Sequence, residues 1–323
     1  MAAAYACSGI HIMCTLHMMN KTICITGATG FLASHLICKL LPYNTLHVTT
    51  RNKSYFISNC LPKLSKIVDT SSLKIFECDY TSEETILEAL HGCDSLIHCA
   101  SPVILTSYPD DERNQTYIIN PALQITENVL RCVNKTSINL VLYTSSTSAI
   151  YSASKKFMTK NDWADESSSD PYTLSKVLSE KRAWELSATA KWKLVVLLPA
   201  RIIGPTIYSS LPESYISIFE ILNTTKSELL NYHSSFCDVR DVCNIYALFL
   251  EKTPKSGRYI ISFDIVPLVA YYNAVRQIKP IHPIHFIDTN DSFTYDNSEI
   301  IELYTQTPID FVHSIQDSLA SMK

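Results

Sequence analysis

The stretch that decides the fold is KTICIT (21–26), GATG (27–30) and FLASHLICKLL (31–41), followed after Pro42 by TLHVTT (45–50). The first and last runs are short and rich in β-forming residues, so each predicts a strand. Apolar positions in FLASHLICKLL recur at helical spacing, which predicts a helix that Pro42 ends. Strand, tight turn, helix and strand make one βαβ unit with parallel strands.

The alternation continues along the chain. We expect further strands at 73–78, 94–99, 138–144 and 193–198, and helices at 82–91, 113–134 and 171–190. Short strands that alternate with helices predict a parallel sheet covered on both faces, an α/β fold of the Rossmann-type doubly wound class. We assign 20–200 to this dinucleotide-binding domain, which holds the catalytic residues.

The pattern becomes irregular after residue 200. A loop rich in Pro, Ser and Tyr (204–217) precedes a helix, the segment 236–252, a strand at 258–263 and a polar, aromatic tail. We expect 201–323 to form a smaller substrate-side lobe packed on the sheet. Residues 1–19 contain no Lys or Arg and lack the charged start of a signal peptide, so they are interpreted as a disordered extension or as sequence upstream of a start at Met18 or Met19.

Composition narrows the function classes. The chain has 323 residues, 46% hydrophobic and 18% charged, which excludes disorder, and its net charge of −4 without basic clusters argues against nucleic-acid binding. Eleven cysteines form no CxxC pair and no zinc-site spacing, so they predict reduced, buried thiols, a cytoplasmic protein and no metal site. No stretch is apolar enough to predict a membrane span.

Glycine is scarce, with six residues where average usage of about 7% would give roughly 23. Two of the six lie in GATG, where Gly27 permits a tight turn and Gly30 allows close approach of a pyrophosphate to the helix N-terminus. The alternative is an ordinary strand-to-helix turn. The cofactor-binding residues predicted for this turn are Gly27, Thr29, Gly30, Phe31 and Leu32.

The second strand indicates the type of dinucleotide. An NAD enzyme usually has an acidic residue at that strand end for the ribose hydroxyls. This chain has Thr50-Arg51-Asn52, and the Arg51 guanidinium can bind a 2′-phosphate, which favours NADP(H). We expect Asp79 and Tyr80 beside the adenine, and Ala100 and Ser101 beside the nicotinamide ribose, because ligands gather at the carboxyl ends of such strands.

Two Tyr-x-x-x-Lys pairs are candidates for proton donation, Tyr151 with Lys155 and Tyr172 with Lys176. A lysine one helical turn away favours the tyrosinate and makes the phenol a usable acid. Tyr172 follows Asp170-Pro171, a helix-start signal, and begins a long helical run. Tyr151 comes so soon after the fifth predicted strand that we expect it in the loop leaving that strand and not in a long helix. We therefore predict Tyr172 and Lys176, with Ser146 polarising the substrate carbonyl.

Taken together, TGATGFLASH, HCASP, YTSST, DPYTLSK, LPARIIGP, FCDVRDVC and SGRYIIS resemble the extended short-chain dehydrogenase/reductase family. Within it, the chain is similar to the dihydroflavonol and cinnamoyl-CoA reductase branch and nearest to the fungal NADPH-dependent aldehyde (methylglyoxal) reductases. The resemblance covers about 21–265.

This resemblance implies roles for individual residues. Ser146 orients the carbonyl, and Tyr172 donates the proton and also contacts the cofactor. Lys176 lowers the tyrosine pKa and holds the nicotinamide ribose, and Pro199 contacts the nicotinamide edge. Asn120 corresponds to a water-relay position that varies in this branch. The usual glycine near 125 is replaced here by Ile125.

The implied activity is NADPH-dependent reduction of an aldehyde or ketone, a small-molecule carbonyl substrate, by a monomer or homodimer. An epimerase or hydroxysteroid dehydrogenase/isomerase on the same fold stays open, as does a non-catalytic NADP(H) sensor.

Two further groups have both a functional and a structural interpretation. We expect Asp238 and Asp241 to cap the helix that follows them, with Arg240 in an ion pair or on the pocket wall. Four aromatic residues either line an apolar substrate site or belong to the core. They are Tyr208, Tyr215, Phe219 and Phe236.

Overall fold

A computed structural model describes residues 20–102, 111–167, 170–208 and 212–322. Its strands are β1 (Thr22–Thr26), β2 (Thr45–Thr50), β3 (Leu73–Glu77), β4 (Ser95–His98), β5 (Leu140–Thr144), β6 (Phe157–Met158), β7 (Lys193–Pro199), β8 (Arg201–Ile203), β9 (Glu228–Asn231), β10 (His233–Asp238), β11 (Gly257–Ile261), β12 (Asp264–Pro267), β13 (His285–Asp288) and β14 (Thr294–Tyr295). The predicted extension, 1–19, lies outside the described residues.

Helices alternate with these strands. They are α1 (Phe31–Leu40), α2 (53–64), α3 (Glu83–Leu90), α4 (111–133), α5 (Pro171–Ser187), α6 (Ile216–Asn223), α7 (Val239–Lys252), α8 (Leu268–Arg276), α9 (Ser298–Leu303) and α10 (Phe311–Ser321). Both α2 and α4 contain a π-helical turn shortly before a proline, Pro62 or Pro121. Proline lacks an N–H and its ring crowds the carbonyl four residues back, so the helix widens there.

Seven strands form a fully parallel sheet in the order β11-β7-β5-β4-β1-β2-β3. The connections run outward in opposite directions from the β1/β4 boundary, which confirms the doubly wound Rossmann-type fold. Where neighbouring strands connect in opposite directions, a crevice that can hold a ligand forms at their carboxyl ends. The site is therefore expected above β1 and β4.

Side chains of β1 show how the sheet is covered. Ile23 and Ile25 pack into one buried core with α1 and α7, whereas Cys24 between them packs into a second core with α3, α4 and α5. Successive strand residues point to opposite faces, so both faces need an apolar cover. This explains the long apolar runs of the central strands β5 and β7.

The region after residue 200 contributes to two structures. Strand β11 joins the parallel sheet beside β7, and α7 packs against α1. Most of the remainder forms a lobe with the sheet β12-β10-β8, the pair β13-β9 and helices α6, α8 and α10. The predicted boundary at residue 200 stays a prediction, since β11, α7 and α9 beyond it pack with the larger sheet and β14 pairs with β6.

Charged residues at the start of α7 only partly follow the expectation. Asp238 caps the helix by accepting from the Arg240 N–H at 2.8 Å, and Arg240 forms ion pairs with Asp238 and Asp317. Asp241 does not cap the helix. Its carboxylate instead accepts from the Tyr304 hydroxyl at 2.7 Å and the Ile309 N–H at 2.8 Å, because the C-terminal segment folds over this helix end.

The four aromatic residues with two interpretations belong to the core. Tyr208, Tyr215 and Phe236 are buried, and Phe219 packs against the lobe core.

All nine cysteines in the described ranges are free, and eight are buried. Groups of three or more potential metal ligands are absent from the described residues. None of the helices in this part of the chain has the length and apolar character that a membrane crossing needs.

Candidate active site

A cavity of about 990 Å³ lies between the carboxyl ends of the parallel strands and the C-terminal lobe. This volume is at the upper end of the range for ligand sites, about 300–1,000 Å³. The predicted site residues on its wall are Gly27, Thr29, Gly30, Phe31, Leu32, Arg51, Tyr80, Ala100, Ser101, Ser146, Tyr172, Lys176 and Pro199. The fold therefore brings together residues from 27 to 199 around one space.

Asp79 is the predicted site residue that is not on the cavity wall. Its carboxylate accepts hydrogen bonds from the Thr81 N–H and hydroxyl, both at 2.8 Å, in a local turn. These bonds hold the pKa of Asp79 below its ordinary value. Its neighbour Tyr80 does line the cavity, and the Tyr80 hydroxyl lies 2.8 Å from the Thr49 hydroxyl at the end of β2.

The turn after β1 needs glycine at Gly27. Its φ is +78°, and an added Cβ would lie 3.1 Å from the Cα and 3.2 Å from the N of Ala100. The close approach is fixed by Thr26, whose hydroxyl oxygen accepts from the N–H groups of Cys99 and Ala100 at 3.0 and 3.1 Å. The ends of β1 and β4 are thus fastened together at the crevice.

Helix α1 begins at this turn with free donors. Gly30 is its N-cap and supplies no side-chain acceptor, and an added Cβ there would lie 3.1 Å from the Gly27 carbonyl oxygen. The first-turn residues Phe31 and Leu32 line the cavity. Backbone N–H groups and the positive end of the helix dipole attract an anion, so this cradle fits a pyrophosphate.

The end of β2 completes the dinucleotide cradle. Thr50 and Arg51 line the cavity, and the strand end carries no carboxylate for ribose hydroxyls. Arg51 is exposed, so its guanidinium is available for a phosphate. Together with the glycine turn, these residues fit a phosphorylated dinucleotide.

The candidate catalytic residues come from β5 and α5. Asp170 caps α5 by accepting from the Thr173 N–H at 3.0 Å, which places Tyr172 in the first turn and Lys176 one turn later. The Lys176 Nζ lies 5.5 Å from the centre of the Tyr172 ring. Ser146 follows β5, and its hydroxyl oxygen accepts from the Ser148 N–H at 3.1 Å. The three side chains share one cavity wall.

Burial controls the protonation of this group. It raises the pKa of Tyr172, hydrogen bonding with Ser146 lowers it, and the Asp170 carboxylate raises it. Burial also lowers the pKa of Lys176 to about 8, opposed by Cys99 and Glu180. At neutral pH the phenol therefore keeps its proton and most of the lysine stays charged.

A buried ion pair holds α5, the helix that carries two of the candidate catalytic residues. Glu180, fully buried on α5, accepts from Arg258 Nε at 2.6 Å and Nη2 at 3.2 Å. It also accepts from the Ser145 hydroxyl at 2.6 Å, the residue next to Ser146. These contacts join α5 to β5 and β11, so they fix the position of the candidate catalytic residues relative to the sheet.

The second tyrosine–lysine pair has a different arrangement. Tyr151 lies in the loop after β5 and lines the cavity. Its ring packs edge-on against the ring of Phe293, with 5.3 Å between the ring centres. Lys155 instead forms an ion pair with Asp162. Because the two residues are not on one helix, their sequence spacing does not bring them together as acid and base.

Several residues on the substrate side were not predicted from the sequence. Arg201 lies two residues after Pro199, inside the LPARIIGP motif, and that motif could have indicated its place on the cavity wall. The others come from β10 and from the tail, where no motif pointed to them. They are His233, Ser234, Ser235, Phe293 and Tyr295. Ile125, in place of the usual glycine, also lines the cavity, whereas Asn120 is exposed and off its wall.

Comparison with known proteins agrees with this geometry. The chain is 34% identical over 264 residues to anthocyanidin reductase from Arabidopsis thaliana, covering 76% of each protein. It is 29% identical over 274 residues to cinnamoyl-CoA reductase 2 from the same plant, covering 82% of this chain and 80% of that enzyme.

Solved structures share the fold. Yeast methylglyoxal/isovaleraldehyde reductase Gre2 complexed with NADPH superposes with a TM-score of 0.80 at 18% identity, covering 93% of this chain and 98% of that one. Residues 23–262 match the NAD dependent epimerase/dehydratase family. The chain therefore belongs to that family, the extended short-chain dehydrogenases/reductases.

Proposed function

We propose that this protein is an NADPH-dependent reductase that converts an aldehyde or ketone into the alcohol, with Ser146, Tyr172 and Lys176 as its catalytic residues. The observation that carries the proposal is the single cavity whose wall holds both the glycine turn and these three side chains. Named relatives of the chain are reductases, and two solved neighbours were determined with NADPH.

When bound, NADPH supplies a hydride to the carbonyl carbon. Ser146 donates a hydrogen bond to the carbonyl oxygen and polarises it, and Tyr172 transfers its hydroxyl proton to that oxygen as negative charge develops there. The charged Lys176 stabilises the resulting tyrosinate. Burial keeps the Tyr172 proton in place before the reaction, since it raises the pKa of the phenol.

The preference for NADPH over NADH is proposed from the end of β2. Arg51 provides a guanidinium for a 2′-phosphate, and the strand end has no carboxylate to accept from a free 2′-hydroxyl. We further infer a cytoplasmic location, because the nine described cysteines are all free thiols.

The test is Tyr172→Phe, which removes the transferable proton and keeps the ring. We expect kcat for carbonyl reduction to fall by about 10²- to 10⁴-fold. Binding of NADPH, measured by fluorescence titration, should change little because the cradle lies on β1, α1 and β2. Rates are measured with a panel of aldehydes and ketones at the NADPH absorbance.

Tyr151→Phe is the matched comparison, since it changes the other tyrosine of the same motif. It should reduce kcat much less than Tyr172→Phe. A larger loss in Tyr151→Phe, or native turnover in Tyr172→Phe, would contradict the assignment of the proton donor. No oxidation of NADPH by the native protein with any carbonyl of the panel would contradict the reductase proposal itself.

A further inference from the structure

Arg201 is a cation on the wall of the cavity. It begins β8, two residues after Pro199, and it is partly buried. Its Nη1 donates to the Ser217 hydroxyl at 2.5 Å, and among the described residues no carboxylate forms an ion pair with it. A guanidinium has five N–H donors, and the described residues accept from one of them, through Ser217.

Other arginines with little exposure are paired. Arg240 is bonded to Asp238 and Asp317, and Arg258 to Glu180. Removing a cation from water without a counter-charge is costly, so such a group in a ligand cavity indicates that an anion binds there. Among the described residues, Arg201 reaches a carboxylate through a relay, in which Ser217 bonds to the Tyr232 hydroxyl and that hydroxyl donates to Glu220. An anionic ligand would supply a direct counter-charge.

The charges around the cavity favour an anionic ligand. Of the described residues on its wall, Arg51, Lys176 and Arg201 are cations, and Glu213 alone carries a carboxylate. His233, also on the wall, is already bonded to Asp291 at 2.9 Å. The phosphates of the dinucleotide account for Arg51 at the other end of the site, which leaves Arg201 for the substrate.

Neighbouring groups indicate the rest of the substrate. Strand β10 pairs with β8 and places Ser234 and Ser235 on the wall, so hydroxyl donors lie on the strand beside Arg201. Aromatic rings of Tyr151, Phe293 and Tyr295 form an apolar wall. The cavity therefore combines an apolar surface with a positively charged end.

We propose that Arg201 forms a carboxylate-binding subsite and that the substrate is an oxo acid, a carbonyl compound with a carboxylate and an apolar or aromatic body. This inference rests on the proposed reductase function and adds the substrate class. The planar guanidinium fork matches the two oxygens of a carboxylate, which would orient the carbonyl carbon toward Tyr172.

The test compares a matched pair of substrates, benzoylformate and its neutral amide. The native enzyme should show the higher kcat/KM with the acid. Arg201→Gln should lower kcat/KM for the acid by roughly 10- to 100-fold more than for the amide, the usual effect of losing a hydrogen-bonded charge partner. Arg201→Lys should restore part of this selectivity. Arg276→Gln, an exposed arginine off the cavity wall, should leave both substrates unchanged.

A binding measurement separates this inference from the proposed function. Calorimetric titration of the NADP⁺-saturated protein uses benzoate and benzamide as non-reducible probes. Selective binding of benzoate that Arg201→Gln abolishes supports the subsite even if neither substrate is reduced. Equal kcat/KM for acid and amide, equal losses in Arg201→Gln, or no preference for benzoate overturns the subsite, even if neutral ketones are reduced.

Discussion

Glu180→Gln is expected to reveal how much the buried ion pair stabilises the fold. Glutamine keeps the shape of glutamate but removes the negative charge that faces Arg258, which is only 8% exposed. Arg258 retains two carbonyl acceptors, Lys160 O at 2.7 Å and Asp162 O at 2.6 Å, and its guanidinium carbon stays 3.9 Å from the centre of the Trp163 ring. The substitution therefore leaves a buried cation with partial compensation.

The magnitude follows from this arrangement. Removing one partner of a buried ion pair costs about 3–5 kcal/mol, and the remaining carbonyls and aromatic face favour the lower end, about 3 kcal/mol. Total stability of a folded protein is about 5–15 kcal/mol, so this is a large fraction. With an m-value of about 3 kcal/mol/M, the urea midpoint should fall by roughly 1 M.

Urea unfolding followed by tryptophan fluorescence is the assay. Two reporters lie at the pair itself, since Trp163 stacks on Arg258 and Trp184 Nε1 donates to Glu180 at 3.2 Å. Glu299→Gln is the matched control. It breaks the Lys160–Glu299 pair, whose side chains are 44% and 45% exposed, and such surface pairs contribute no more than about 1 kcal/mol. Equal midpoints for the two variants would refute the reasoning.

Two further outcomes are expected. Gly27→Ala should weaken NADPH binding about tenfold or more in fluorescence titration, because the added Cβ would lie 3.1 Å from the Ala100 Cα. Gly92→Ala is the control and should leave NADPH binding intact, because Gly92 has a similar φ of +72° but no atom within 4 Å of the added Cβ. The kcat/KM for NADPH should fall as pH rises through about 8, because Lys176 loses its positive charge there; a profile that stays flat to pH 10 would contradict this.

Much of the parallel sheet could be predicted from the sequence. Each βα unit is encoded within about 30 residues, so apolar periodicity, Pro42 and the glycines mark its boundaries. Ser82 and Asp170 cap α3 and α5 through N–H groups three residues away, which is also local information. Asp310 caps α10 in the same way, through the His313 N–H, whereas α8 follows Pro267 and has no side-chain cap.

Other features depend on contacts between distant parts of the chain. Glu180 and Arg258 are 78 residues apart, and Asp241 is bonded to Tyr304, 63 residues later. Asp241 was therefore predicted to be a helix cap when its actual partners lie in the C-terminal segment. Nothing in the local sequence around Phe293 or Tyr295 indicates that they reach the cavity.

The sequence by itself determined the Rossmann-type class, the glycine turn and the Tyr172–Lys176 helix, because each depends on residues close together in the chain. Tertiary structure alone decided that β11 completes the sheet, that Glu180 meets Arg258, and that Arg201 stands on the cavity wall without a carboxylate partner among the described residues. The physical reason is that burial and charge pairing arise from the whole packed fold, whereas turns and helix starts are set by neighbouring residues.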